Sequence, residues 1–234
     1  MSQLRHFLAE DDLSASEFRQ LLTRASELRQ MHTERQRYAP LAHRTLGMIF
    51  EKSSTRTRVS FEAGMAQLGG HAIFLSPTDT QLGRGEPLED TAKVLSEMVD
   101  LVMIRTFSHP QLENFAAACS IPVINGLTDY LHPCQSLADM QTWFDHRGDI
   151  SGACVTWVGD GNNVCNSYVV TAMLLGFELL IACPPGYEPD AGLLRRAGAR
   201  VSVTHDTRAA CEGADLIVTD VWSSMGQETE QAKR

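Results

Sequence analysis

Leu46-Gly47-Met48-Ile49-Phe50-Glu51-Lys52-Ser53-Ser54-Thr55-Arg56-Thr57-Arg58 is the stretch whose reading decides the fold. Its first five residues form a short apolar run of strand length. A cluster of hydroxyls and arginines follows, and then a helical pattern through Leu68. A strand that turns directly into a helix is half of a βαβ unit, the building block of a parallel sheet.

The same alternation extends in both directions. Upstream, Phe18, Leu21, Leu22, Ala25, Leu28 and Met31 recur at helical spacing and predict a first helix over Ser14–Arg37. Ser14 and Glu17 have the spacing of a capping box. Downstream, strands are expected at Ala72–Leu75, Leu101–Ile104 and Pro122–Ile124, with helices at Leu88–Met98, Leu112–Ala118 and Pro133–Arg147. A second series begins with a strand at Val155–Val158 and a helix at Val164–Leu175. It continues with a strand at Leu179–Ala182, a helix at Ala191–Ala197, and strands at Val201–Thr204 and Leu216–Val218. The expected fold is α/β, in two domains that each carry a mostly parallel sheet flanked by helices, hinged near residue 148. Ligands of such sheets sit beyond the carboxyl ends of the strands.

Composition narrows the function. The 234 residues are 43% hydrophobic and 21% charged, close to globular averages. The net charge of −9 argues against a nucleic-acid-binding surface but leaves room for a local basic pocket. No apolar run is long enough to span a bilayer, so no membrane partner is expected. The polar start lacks a signal-peptide core, and the six cysteines form no C-x-x-C pair. A cytoplasmic protein without a zinc site is the expectation.

Five polar clusters and one long loop stand where ligands would bind. In Ser53–Arg58, four hydroxyls and two arginines open a helix, whose free N–H groups and positive dipole end suit a phosphate. A single Ser-Thr cap would be an ordinary helix start; this density of donors favours an anion site. Arg105, at the end of a strand, is a candidate second clamp, with Arg56, Arg58 and Arg105 expected to converge inside the fold. His132-Pro133-Cys134-Gln135 starts a helix, with Asp139 one turn on. Cys134 has no base partner in the sequence to mark it as a nucleophile. Gly159-Asp160-Gly161-Asn162-Asn163-Val164 fails the dinucleotide spacing, because Val164 stands where a third glycine belongs. Its asparagines could hold an amino-acid head group instead. Asp220, in Asp220–Gln227, could pair with a substrate ammonium. The glycine-bearing loop Asp79–Glu86 reads as a lid or contact arm.

Taken together, the S-T-R-T-R cluster at Ser54–Arg58, the H-P-C-Q at His132–Gln135, the LGRGEPLED stretch at Leu82–Asp90, the G-D-G-N-N turn and the D-V-W-S-S-M-G-Q segment resemble the ornithine branch of the aspartate/ornithine carbamoyltransferase family. The resemblance covers the whole chain. It implies two domains, residues 1–148 for carbamoyl phosphate and 149–234 for ornithine, in a homotrimer. It implies transfer of the carbamoyl group of carbamoyl phosphate to L-ornithine, giving citrulline and phosphate in arginine metabolism, with no metal or organic cofactor. Under it, Ser54, Thr55, Arg56 and Thr57 bind the phosphate, and Arg105 bridges phosphate and carbonyl oxygen. His132 reaches the carbonyl and Gln135 the carbamoyl amine. Gln81 matches a residue lent to the neighbouring subunit, and Asn163, Asp220, Ser224 and Met225 match ornithine-binding positions. Asn162, beside Asn163, could take the latter's place.

The family runs several dozen residues past the S-M-G loop, through an H-C-L-P motif and a closing helix. The second domain is therefore expected to be incomplete in this chain. Two alternatives follow. One is a truncated, weakly active or inactive carbamoyl-phosphate-binding protein. The other is a carbamoyltransferase for a related amine acceptor.

Overall fold

A computed structural model of the chain describes residues 4–76 and 87–221. It consists of two compact units. The first takes the chain up to Asp12 and Thr23–Asp129; the second takes Leu13–Leu22 and the chain from Tyr130 on.

In the first unit, β1 (Thr45–Phe50) runs between β2 (His71–Leu75) and β3 (Leu101–Arg105), and β4 (Val123–Leu127) closes the far edge. All pairings are parallel, as the βαβ reading requires. Side chains alternate across the sheet, so each strand feeds two cores. Leu46, Met48 and Phe50 pack with Met65 of helix α2 (Thr55–Gln67) on one face. Ile49, Val102 and Ile104 pack on the other with Ala92 of α3 (Leu88–Ser96) and with Leu112 and Phe115 of α4 (His109–Ala118). A sheet covered on both faces by helices is the arrangement that leaves its strand ends open to ligand. β4 reaches three residues beyond the expected Ile124. Its buried Asn125 donates from Nδ2 to the Leu8 carbonyl at 2.8 Å, so a polar residue is accommodated inside a strand.

Helix α1 (Ala15–Thr33) carries the expected capping box: the Ser14 amide donates to Glu17 Oε2 at 2.8 Å and the Glu17 amide to Ser14 Oγ at 3.2 Å. It stops four residues short of the expected Arg37. Arg35 takes a left-handed φ of 55°, which no continuing helix permits, and no apolar residue between Glu34 and Arg37 draws the chain onto a core.

The second unit has parallel β5 (Cys154–Val158) in its interior, in the order β7 (Val201–Thr204), β6 (Glu178–Ala182), β5, β8 (Leu216–Thr219). Helices α6 (Asn163–Leu175) and α7 (Ala191–Ala197) pack against its sheet, and α5 (Pro133–Arg147) packs against α6. The short α8 (Thr207–Cys211), too brief to show a period in the sequence, links β7 to β8. Helix α6 is buried on nearly every side, with every residue from Val164 to Ala172 inside. Gly176 ends it in a left-handed conformation, φ 85°, that a side chain would strain. Among the described residues, no helix is long and apolar enough to cross a membrane.

One close approach fixes the loop that precedes α6. Gly161 donates from its amide to the Tyr187 carbonyl at 2.8 Å, and a Cβ there would lie 2.2 Å from the Pro189 nitrogen. The glycine serves backbone packing rather than a nucleotide phosphate. Gly161→Ala should therefore lower stability by about 1–3 kcal/mol, the usual cost of overpacking, read as a fall in the urea midpoint.

Candidate active site

Two sets of side chains stand at strand ends, one in each unit. In the first unit, the register aligns Phe50 with Arg105, so both strands finish together. The Glu51 amide donates to the Arg105 carbonyl at 2.9 Å, and Thr106 Oγ1 donates to the Glu51 carboxylate. Lys52 pairs with Asp129 and lies 4.4 Å from the centre of the Phe107 ring. These contacts fix the turn that presents the hydroxyl cluster. Ser54 is the N-cap of α2: its Oγ accepts the Thr57 amide at 3.2 Å and donates to Thr57 Oγ1 at 3.0 Å. Thr55 and Arg56 occupy the first turn of the helix and are exposed. First-turn amides have no partner within the helix and point along its positive end.

Arg105 is the unusual member of this set. It is 5% exposed, and its Nε has no hydrogen-bond partner among the described residues. Burial lowers its guanidinium pKa, with no carboxylate among the described residues acting against that shift. A buried cation without a countercharge is costly, because desolvation is not offset by any ion pair.

Arg58 departs from the expected convergence. It is exposed, pairs with Glu62 Oε1 at 2.9 Å and covers the Phe74 ring at 3.9 Å. At about 100° per helical residue, positions 56 and 58 point to nearly opposite sides of α2. Only one of the two can serve the strand-end site.

In the second unit, His132 precedes α5, and its amide donates to Ser167 Oγ of α6 at 2.8 Å. Asn166 of α6 donates from Nδ2 to the Tyr130 carbonyl at 3.0 Å and accepts the Asp190 amide at the same distance. Gln135 is exposed and donates from Nε2 to Asp139 Oδ1 at 2.9 Å, while Tyr168 donates its hydroxyl to Asp139 Oδ2 at 3.0 Å. Desolvation raises the Asp139 carboxyl above its ordinary range, against the two hydrogen bonds that pull it down.

The asparagine pair divides its work. Asn162 caps α6, with Oδ1 accepting the Val164 and Cys165 amides at 3.0 and 3.1 Å. Its Nδ2 donates to Asp220 Oδ2 at 3.1 Å. Asp220 lies just past the end of β8, which aligns with β5 through Val158 and Thr219. Asn163 is the first residue of α6 and is half-buried.

Gln81, Ser224 and Met225 lie outside the described residues. Ser167, Asn166 and Tyr168 are the positioning residues that pattern reading passes over. Their one signal is polar side chains inside an otherwise apolar helix, and a helix buried all round offers no period to sort them. No group of three or more His, Cys, Asp or Glu side chains among the described residues could hold a metal. Burial pushes the Cys165 thiol well above its usual pKa, the opposite of what a nucleophile needs.

Comparison with known proteins gives a consistent picture. The family model described as the carbamoyl-P binding domain of aspartate/ornithine carbamoyltransferase matches residues 5–145. The Asp/Orn binding domain model of the same family matches residues 151–234. The chain is 64% identical to an ornithine carbamoyltransferase of Halorhodospira halophila over 231 residues, covering 99% of this chain and 77% of that protein. It is 63% identical to one from Methylococcus capsulatus over 230 residues, covering 98% and 76%. Among solved structures, an ornithine carbamoyltransferase from Pyrococcus furiosus superposes with a TM-score of 0.93 at 44% identity, over 98% of this chain and 76% of that one.

The cap on α2 can be tested by itself. Ser54→Ala removes the acceptor of the Thr57 amide and should cost about 1 kcal/mol. Hydrogen exchange at that amide should become roughly five times faster, with little change in β5 or α6.

Proposed function

The chain belongs to the aspartate/ornithine carbamoyltransferase family, and from that premise we infer that it transfers the carbamoyl group of carbamoyl phosphate to the δ-amine of L-ornithine, giving L-citrulline and phosphate. The observation that carries this reading is the buried Arg105 guanidinium at the end of β3, whose Nε lacks a partner among the described residues. Such a charge calls for an anion, and the hydroxyl-rich start of α2 supplies further donors of the kind that phosphate oxygens take.

The proposed roles follow from the chemistry of the reaction. Ser54, Thr55, Arg56 and Thr57 take the phosphate, and Arg105 takes both phosphate and carbonyl oxygen. His132 donates to the carbonyl oxygen and Gln135 receives the carbamoyl amine. The δ-amine attacks the carbonyl carbon as a free base, although such amines are largely protonated at neutral pH with a pKa of about 10. Its lone pair forms the new C–N bond and the carbonyl electrons move onto oxygen. Arg105, His132 and Thr57 are the donors assigned to that oxyanion. Collapse of the intermediate expels phosphate, and the proton of the attacking nitrogen leaves with it. No enzyme-bound carbamoyl group is formed. Asp220, held by Asn162, takes the α-ammonium of ornithine, with Asn163, Ser224 and Met225 on the rest of the amino acid.

Residues 1–148 serve carbamoyl phosphate and 149–234 serve ornithine. The enzyme works in the cytoplasm as a homotrimer, with Gln81 supplied to a neighbouring subunit.

Citrulline formation from carbamoyl phosphate and ornithine tests the function. The purified protein should produce it, and Asp220→Asn should raise the KM for ornithine at least tenfold while leaving that for carbamoyl phosphate within about twofold. Equal losses for both substrates would contradict the role given to Asp220.

A further inference from the structure

The site assigned to the carbamoyl group leaves open how Gln135 presents the correct end of its amide. An amide is ambiguous by nature: one end accepts and the other donates. Gln135 sits exposed on the first turn of α5, where solvent alone would not choose between the two. The structure does choose. Gln135 Nε2 donates to Asp139 Oδ1 at 2.9 Å, which leaves Oε1 as the free end. The carboxylate that makes the choice is itself held. Tyr168, 1% exposed on the buried helix α6, donates its hydroxyl to the other oxygen, Oδ2, at 3.0 Å. An ionised carboxylate accepts from both donors with full strength, whereas a protonated one would turn an O–H toward one of them.

We propose that Asp139, anchored by Tyr168, is the positioning residue that sets the direction of the Gln135 amide, so that an acceptor oxygen faces the carbamoyl –NH2. The inference rests on the role given to Gln135 above and extends it. A carbamoyl amine offers two N–H donors and no useful acceptor, so an amide turned the other way would oppose donor to donor. Protonated Asp139 would favour that wrong orientation, because its O–H would then donate to Oε1 and turn Nε2 outward.

The surroundings of Asp139 place this switch within reach of an experiment. Burial raises its pKa, the hydrogen bonds from Gln135 and Tyr168 lower it, and Asp220, beyond β8, raises it as a like charge. The net shift is upward. The productive, ionised form is therefore lost, as pH falls, at a higher pH than for an ordinary aspartate.

The test uses the whole chain labelled with 15N in glutamine side chains. The Gln135 amide signal, assigned by its disappearance in Gln135→Glu, is followed against pH beside carbamoyl-phosphate binding by calorimetry. In the unaltered protein the signal should titrate, and its midpoint should move to higher pH in Tyr168→Phe, which loses the bond that stabilises the carboxylate. In Asp139→Asn the titration should vanish. Carbamoyl-phosphate affinity, measured with unaltered protein, should fall about tenfold as pH drops through the same midpoint, the scale of one lost hydrogen bond. A Gln135 signal that does not titrate, or a midpoint that ignores Tyr168→Phe, overturns the proposal. A Gln135 signal that titrates while affinity does not follow leaves the Asp139 switch standing and instead removes Gln135 from the carbamoyl site.

Discussion

A guanidinium buried at the end of β3, with no countercharge among the described residues, is the constraint on which the first unit turns. Arginine does not shed its proton under ordinary conditions, so the chain cannot escape the desolvation cost by neutralising the side chain. The fold accepts that cost in order to present a permanent positive charge in a place largely shielded from water, where an incoming anion meets it at a lower effective dielectric. The neighbouring structure keeps that charge available. Glu51, the nearest carboxylate along β1, is engaged by Thr106, and Asp129 is engaged by Lys52, so neither carboxylate is left to neutralise Arg105. The Arg105 carbonyl is meanwhile held by the turn that opens α2.

The second unit solves a different problem, that of holding polar side chains in register. Helix α6 is its scaffold. Three consecutive residues of this all-round buried helix hold the Tyr130 carbonyl through Asn166, the His132 amide through Ser167 and the Asp139 carboxylate through Tyr168. The start of the same helix is capped by Asn162, which also holds Asp220. Groups on three separate segments are thus referred to one rigid element, which is how a site keeps sub-ångström order on a loop-rich face. The proposed reaction needs that order, because donors must already point at the oxygen where charge develops.

Much of this was legible in the sequence, and the reasons are physical. Parallel strands buried on both faces read as short apolar runs, so β1, β3, β5 and β6 stand out. Helices bounded by strong caps do too: Pro133 opens α5 and Gly148 follows its end, and both ends fall where expected. The donor-rich start of α2 stands out in Ser53–Arg58 because hydroxyls and arginines seldom crowd into one turn by chance. What the sequence hid was direction. Arg56 and Arg58 look equivalent in a string of letters, yet the helical twist sends Arg58 to Glu62 and Phe74. Asn162 and Asn163 likewise look interchangeable, and only the capping geometry separates them. Tyr168 carries no signal of its own in the sequence, since a hydroxyl that reaches a carboxylate on another helix leaves no periodic trace.

The claim at the centre of the account is that Arg105 is a buried cation waiting for the phosphate of carbamoyl phosphate. Calorimetric titration of that ligand into the unaltered protein and into Arg105→Gln tests it most directly. The account predicts saturable binding that weakens at least about 30-fold in the variant, the lower range for losing one partner of a desolvated charge pair. Affinity that survives the substitution within about twofold would contradict it, and would leave the charge at the end of β3 without the role assigned to it.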